Sequence, residues 1–157
     1  MPLCRTPRVG YVVGMGFEID PRVDASFARQ GFMGLIGARL LHARDGRCVM
    51  ETDWSEQLTQ QHGYFHAGVS ATLADNSAGY AAYTLMPEGA SLLTVEFKLN
   101  LVNPARPGVL RADAQVVKPG RTLSVVRCTV STIADGKETP CAEFLGTIMT
   151  LIGTAPT

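Results

Sequence analysis

Between His62 and Ala82 the chain reads His-Gly-Tyr-Phe-His-Ala-Gly-Val-Ser-Ala-Thr-Leu-Ala-Asp-Asn-Ser-Ala-Gly-Tyr-Ala-Ala, a turn followed by a helix of mostly small residues. Small side chains let a helix approach other backbone closely, so this one belongs inside a wrapping sheet rather than on a surface. One carboxylate, Asp75, falls in the middle of it. A carboxylate is costly to bury without partners or a task. A catalytic or binding acid accounts for it most simply.

The flanking segments define the rest of the fold. Pro21 opens a helix with Val23, Phe27 and Phe32 on one face, and Gly31 and Gly34 are expected to end it. Leu35 to Ala43 reads as a strand, Asp45-Gly46 as a hairpin turn and Arg47 to Thr52 as the returning strand. Trp54 to Gln61 is polar and loop-like. The central helix is expected over Ala67 to Leu85, stopped by Pro87, Glu88 and Gly89. Strands follow at Leu92–Val102, Val109–Lys118, Thr122–Ile133 and Cys141–Ile152, joined by Asn103-Pro104, Pro119-Gly120-Arg121 and Asp135-Gly136. Residues 1–20 form an extension, with Gly10 to Phe17 open between a strand, an arm and a tail. Strands in a run with one buried helix indicate an α+β fold in which the helix fills a strongly curved antiparallel sheet.

With 157 residues and 46% apolar content, the chain suits one domain over 1–157 with a real core. Its 14 basic and 14 acidic residues cancel, which argues against a nucleic-acid binder and is compatible with self-association. Cys4, Cys48, Cys128 and Cys141 form no C-x-x-C pair and have no His at metal-ligand spacing. Reduced thiols in a cytoplasmic protein are expected. No secretory leader is legible, and no run approaches the length of a membrane span.

The start of the central helix offers free N–H groups and a positive dipole at Gly68, suited to a carbonyl oxygen becoming an oxyanion. Asp75 shares a face with Gly68, but at roughly 1.5 Å per residue the two are about 10 Å apart along the axis. Either they are unrelated, or a second copy packs antiparallel and brings its Asp75 to this helix start. A two-fold dimer makes two such sites.

Gly63-Tyr64-Phe65-His66-Ala67-Gly68 with Asp75 resembles the H-G-G…D motif of the hotdog-fold acyl-CoA thioesterases, above all the phenylacetate-degradation type. Thr94-Val95-Glu96-Phe97-Lys98-Leu99-Asn100 with Pro104-Ala105, then Lys118-Pro119-Gly120-Arg121-Thr122-Leu123, and finally Gly146-Thr147 resemble later motifs of that family in order and spacing. The likeness covers about residues 35–152. It implies a homodimer, with dimers pairing into tetramers, that hydrolyses an acyl-CoA thioester (EC 3.1.2.-). It also implies Asp75 as general base or nucleophile, Gly68 N–H as the group polarising the carbonyl, and Gln60 and His66 beside the thioester. Ala67, Tyr64 and Phe65 would line the substrate site, and Lys118 and Arg121 would meet the CoA phosphates. CoA would enter only as part of the substrate, with no cofactor or metal. Ala67 stands where the motif has its first glycine, and Gln60 where relatives carry Asn or Gln.

Taken singly, these residues have plainer uses. Asp75 suits a salt bridge, His66 a turn, Gly68 tight packing, and Lys118 and Arg121 a solvated hairpin. The competing function is a non-catalytic acyl-CoA-binding or regulatory module on the same fold. A hotdog dehydratase would pair an Asp with a later His, and no His follows Asp75.

Overall fold

The computed structural model describes residues 17–153. The possible strand or arm before Phe17, and Cys4, fall outside them. In chain order come α1 (Pro21–Phe27), α2 (Gly31–Leu35), β1 (Arg39–Arg44), β2 (Arg47–Asp53), a 3-10 turn (Glu56–Leu58) and α3 (Ala67–Tyr83). Then follow β3 (Ser91–Leu101), β4 (Val109–Lys118), β5 (Leu123–Ala134) and β6 (Lys137–Leu151). The six strands form one sheet, ordered β1-β2-β4-β5-β6-β3, with every neighbouring pair antiparallel. The sheet curves around α3, as the α+β hotdog expectation requires.

The helix packs through a face of small residues. Ser70, Ala74, Ser77, Ala78 and Ala81 are buried together with Leu73. Opposite them lie the inward residues of the sheet, among them Met50, Leu110, Val126, Phe144 and Ile148. Small side chains on one side and large ones on the other let the layers interlock without voids. Gly79 shows how tight the fit is: a Cβ there would lie 3.2 Å from Leu92.

Boundaries at the start of the fold differ from the sequence reading. Gly31 and Gly34 do not terminate the first helix. α1 stops at Phe27, and both glycines lie inside the short α2, with open space around them. Leu35 ends α2 instead of opening a strand, and β1 begins at Arg39 after Gly37, whose φ is +66°. Phe32 is 55% exposed, so it does not share the buried side of Val23. β6 starts at Lys137, because Asp135-Gly136 forms a tight turn with both residues at positive φ.

The two sheet edges are treated differently. β1 carries Arg39 and Arg44, and residues 18–20 run alongside it: Asp20 N–H donates to Ala43 O at 2.8 Å, and Ala43 N–H to Glu18 O at 2.9 Å. Charge and cover of this kind keep an edge from pairing with another chain. β3 pairs on one side with β6 and with no described strand on the other. It exposes Leu93, Val95, Phe97 and Leu101, each between 42% and 59%. A bulge between Thr94 and Glu96 sets Val95 apart from the ladder.

Candidate active site

Asp75 is half-buried on α3. Its Oδ1 accepts a 2.8 Å hydrogen bond from the Thr94 hydroxyl on β3, while Oδ2 bonds to no described residue. Burial pushes its carboxyl above the ordinary carboxylate value, and the Thr94 bond opposes that shift in part. Thr94 was missed as a site residue. Strand alternation puts its hydroxyl on the same face as Leu92, but nothing in the sequence pairs it with Asp75. The two open into a cavity of about 240 Å³ shared with Gln30, Asn76 and Tyr80. Those side chains form a relay. Asn76 Nδ2 donates to Gln30 Oε1 at 2.8 Å, Gln30 Nε2 to the Tyr80 hydroxyl at 2.9 Å, and that hydroxyl to Ser26 Oγ at 3.1 Å. The relay ties α1 and the start of α2 to the helix that carries the acid.

The start of α3 is built by the preceding turn. Phe65 is buried, and its N–H donates to Ala105 O at 2.9 Å, while His66 N–H donates to Leu58 O at 2.8 Å. His66 then caps the helix: its Nδ1 accepts the Gly68 N–H at 2.9 Å. The N–H expected to be free is therefore engaged. That of Ala67, one residue earlier, takes part in no hydrogen bond within the described residues. Gln60 is turned into its own loop, where its Oε1 accepts the His62 N–H and its backbone N–H donates to Tyr64 O at 2.9 Å.

Two cavities meet at this helix start. One, of about 430 Å³, holds Gln60, Tyr64, Ala67, Ser70 and Asn103, with the Arg106 guanidinium 5.9 Å from the centre of the Tyr64 ring. The other, of about 530 Å³, lies between α2, the 3-10 turn and α3, and includes His66 and Gly68. Asp75 borders neither. Within one chain, then, acid and helix start remain apart, as their spacing along α3 requires.

Lys118, at the end of β4, and Arg121, in the β4–β5 connection, lie exposed near the C-terminal end of α3 rather than at its start. Val116 N–H donates to Gly46 O at 2.8 Å, and Gly46 N–H to Thr84 Oγ1 at 2.8 Å, which fixes that end of the sheet against the helix terminus. Thr122 O accepts the Thr150 N–H, and Thr150 pairs with Leu92. The connection therefore sits nearer the Asp75 cavity than the helix start of its own chain. Among the described residues no group of three or more His, Cys, Asp or Glu is arranged to hold a metal ion. No helix among them is long and apolar enough to cross a membrane. Cys48, Cys128 and Cys141 are free and buried, and burial pushes the Cys141 thiol up to about 11, far from thiolate chemistry at neutral pH.

A sequence model of the thioesterase superfamily matches residues 62–139. A thioesterase family protein from Silicibacter pomeroyi is 46% identical, with a TM-score of 0.83 over 84% of this chain and 97% of that one. Acyl-coenzyme A thioesterase 13 of Homo sapiens is 30% identical over 99 residues, 62% of this chain and 70% of its own length. The PaaI protein from the phenylacetic acid degradation operon of E. coli shares the fold: the TM-score is 0.74 at 21% identity, over 83% of this chain and 91% of that one.

Proposed function

The chain belongs to the thioesterase superfamily, and on that premise we propose that it hydrolyses an acyl-CoA thioester to the free acid and CoA at a site shared by two copies. The observation that carries the reading is the Asp75–Thr94 pair: a half-buried carboxylate on the wall of a cavity, held by one hydroxyl and with no cation beside it among the described residues. A merely structural acid would not be left with an unused oxygen in a partly desolvated place.

The open β3 edge supports the sharing. Two copies joined antiparallel along β3 set the end of one strand beside the start of the other. The Leu101–Ala105 side of one helix-start cavity then faces the Leu92–Thr94 side of the partner's Asp75 cavity. Asp75 of one copy then meets the Ala67 N–H of the other.

In the reaction the thioester oxygen accepts from the Ala67 N–H at the positive end of α3. Ala67 takes this role in preference to Gly68, whose N–H is spent on the cap. Asp75 either removes a proton from the water that attacks the carbonyl carbon or attacks it directly. In both routes the tetrahedral intermediate collapses with loss of CoA thiolate, and in the direct route water then cleaves the Asp75 acyl anhydride to release the free acid. One turnover in 18O-labelled water identifies the direct route when water opens the anhydride at the Asp75 carbonyl, since only that path leaves label in the Asp75 carboxylate. Gln60 and Tyr64 flank the thioester, and His66 holds the turn that aims Ala67. Lys118 and Arg121 meet the CoA phosphates from the copy that supplies Asp75. CoA enters as part of the substrate and leaves as product, and no cofactor takes part.

The test is thiol release from a panel of aryl and aliphatic acyl-CoAs by the native protein and by Asp75→Asn, with a no-substrate control for the protein's own cysteines. Hydrolysis that disappears in the variant is expected. CoA esters bound but never cleaved would replace the enzyme with a regulatory binding module.

A further inference from the structure

We infer that the acyl arm of the thioester lies in the cavity between α2 and α3, so that Phe32 and Leu35 of α2 set which acyl groups are accepted, and that the class is uncharged aliphatic acyl groups of medium length. The inference rests on the thioester reading above and adds its acyl specificity.

The helix start that would hold the carbonyl separates two cavities of unequal polarity, the one on the Gly68 side being the more apolar. On the Ala67 side stand the Gln60 and Asn103 amides and the Tyr64 hydroxyl, with Arg106 beside it. On the Gly68 side Phe32, Leu35, Ile36, Leu58 and Val69 form the apolar walls, with Gln57, Thr59, His66 and Thr72 between them and no Lys, Arg, Asp or Glu. A thioester has two unlike arms. The pantetheine arm carries amides and ends in phosphates, while the acyl arm of a simple fatty acid carries neither. The polar side also faces the edge across which the partner's Asp75, Lys118 and Arg121 arrive, so pantetheine leaves that way. The acyl arm is left with the apolar side.

The size agrees. A space of about 530 Å³ falls within the range of pockets that take small organic ligands, so an acetyl group would leave most of it unfilled. α2 is the wall least accounted for by folding. Phe32 is 55% and Leu35 78% exposed, and Gly31 and Gly34 meet nothing within 4 Å where a side chain would begin. Two large apolar side chains spend little of their surface on the core and instead border a cavity beside the candidate site. That is what a ligand-facing wall requires.

The experiment reads binding, so that it does not depend on catalysis. Dissociation constants are measured for S-ethyl-CoA and S-octyl-CoA, thioethers that cannot be hydrolysed, on the native protein, Leu35→Trp and Phe32→Ala. The six added methylenes are each worth up to roughly fourfold when fully buried. In a half-open cavity, S-octyl-CoA should bind at least about tenfold tighter than S-ethyl-CoA. Leu35→Trp, a change at an exposed position, should erase that gain and leave S-ethyl-CoA within about twofold. Phe32→Ala should reduce the gain. Affinity independent of chain length, or a length dependence that neither variant alters, overturns the inference even if acyl-CoAs are hydrolysed. Length-dependent binding removed by Leu35→Trp supports it even if no thioester is cleaved, a result that would instead defeat the catalytic reading.

Discussion

Asp75 combines two properties that pull in opposite directions. Its raised proton affinity means that the folded chain holds a proton more tightly than the unfolded one. The contribution of Asp75 to stability is therefore most favourable at pH below the usual carboxylate value of 3.8, falls as pH rises through the shifted range, and stays reduced at neutral pH. Asp75→Asn should raise the melting temperature at pH 7, the gain shrinking towards zero in acid, while hydrolysis falls by at least about 100-fold. Thermal denaturation at two pH values and a thiol-release assay test both halves. A variant that is less stable at pH 7 would mean that the carboxylate is a structural asset. The Thr94 hydroxyl favours the ionised form, so Thr94→Val should move the acid limb of the kcat/KM profile upward in pH. A limb that stays in place would show that Asp75 ionisation does not govern the rate. The sequence revealed Asp75 because it is one charged residue among alanines, glycines and serines. It could not reveal Thr94 as a partner, because the contact joins two elements and depends on a bulge in β3. Nor could it separate Gly68 from Ala67: which N–H remains unbonded depends on the rotamer of His66.

Elements with strong periodicity or clear turn chemistry were legible. α3, β4 and both Asp-Gly hairpins lie where small residues, alternation and positive-φ turn pairs put them. The 28–38 region was not, because two glycines look like helix stops when nothing in sequence shows that the Gln30 side chain is anchored on Tyr80. β3 is the element on which a shared site depends. Val95→Lys places a charge at the middle of the uncovered edge and should yield a folded monomer whose hydrolysis falls by about 100-fold or more. Sedimentation with parallel rate measurements checks this, and a fully active monomer would contradict the two-copy site. β6 supports β3 through a close approach: a Cβ on Gly146 would lie 2.7 Å from the Phe144 ring and 3.1 Å from Phe97 Cβ. Those rings stack with centroids 5.0 Å apart. Gly146→Val should therefore destabilise the fold by about 1–3 kcal/mol, read from chemical denaturation. Unchanged stability would mean that the rings shift freely.

For the molecule as a whole, one chain holds an acid and a helix start that cannot serve each other, and one of its sheet edges is covered while the other pairs with no described strand. Sequence spacing along α3 already implied the first, since distance along a helix can be counted. The second needed the strand order, which no local pattern contains. That order also bears on how the chain reaches its native state. β1, β2, β4, β5 and β6 join in sequence, each strand able to add to one already formed. β3 is made early, yet its partner is the last strand: Ser91 pairs with Leu151 and Leu101 with Ala142. Local hairpins close quickly, and pairings between distant segments close late. On the ribosome, β3 must therefore wait, apolar and without its β6 partner, until β6 emerges. Its register is fixed by β6, so the surface offered to a second copy exists only once that much later strand has been made and paired.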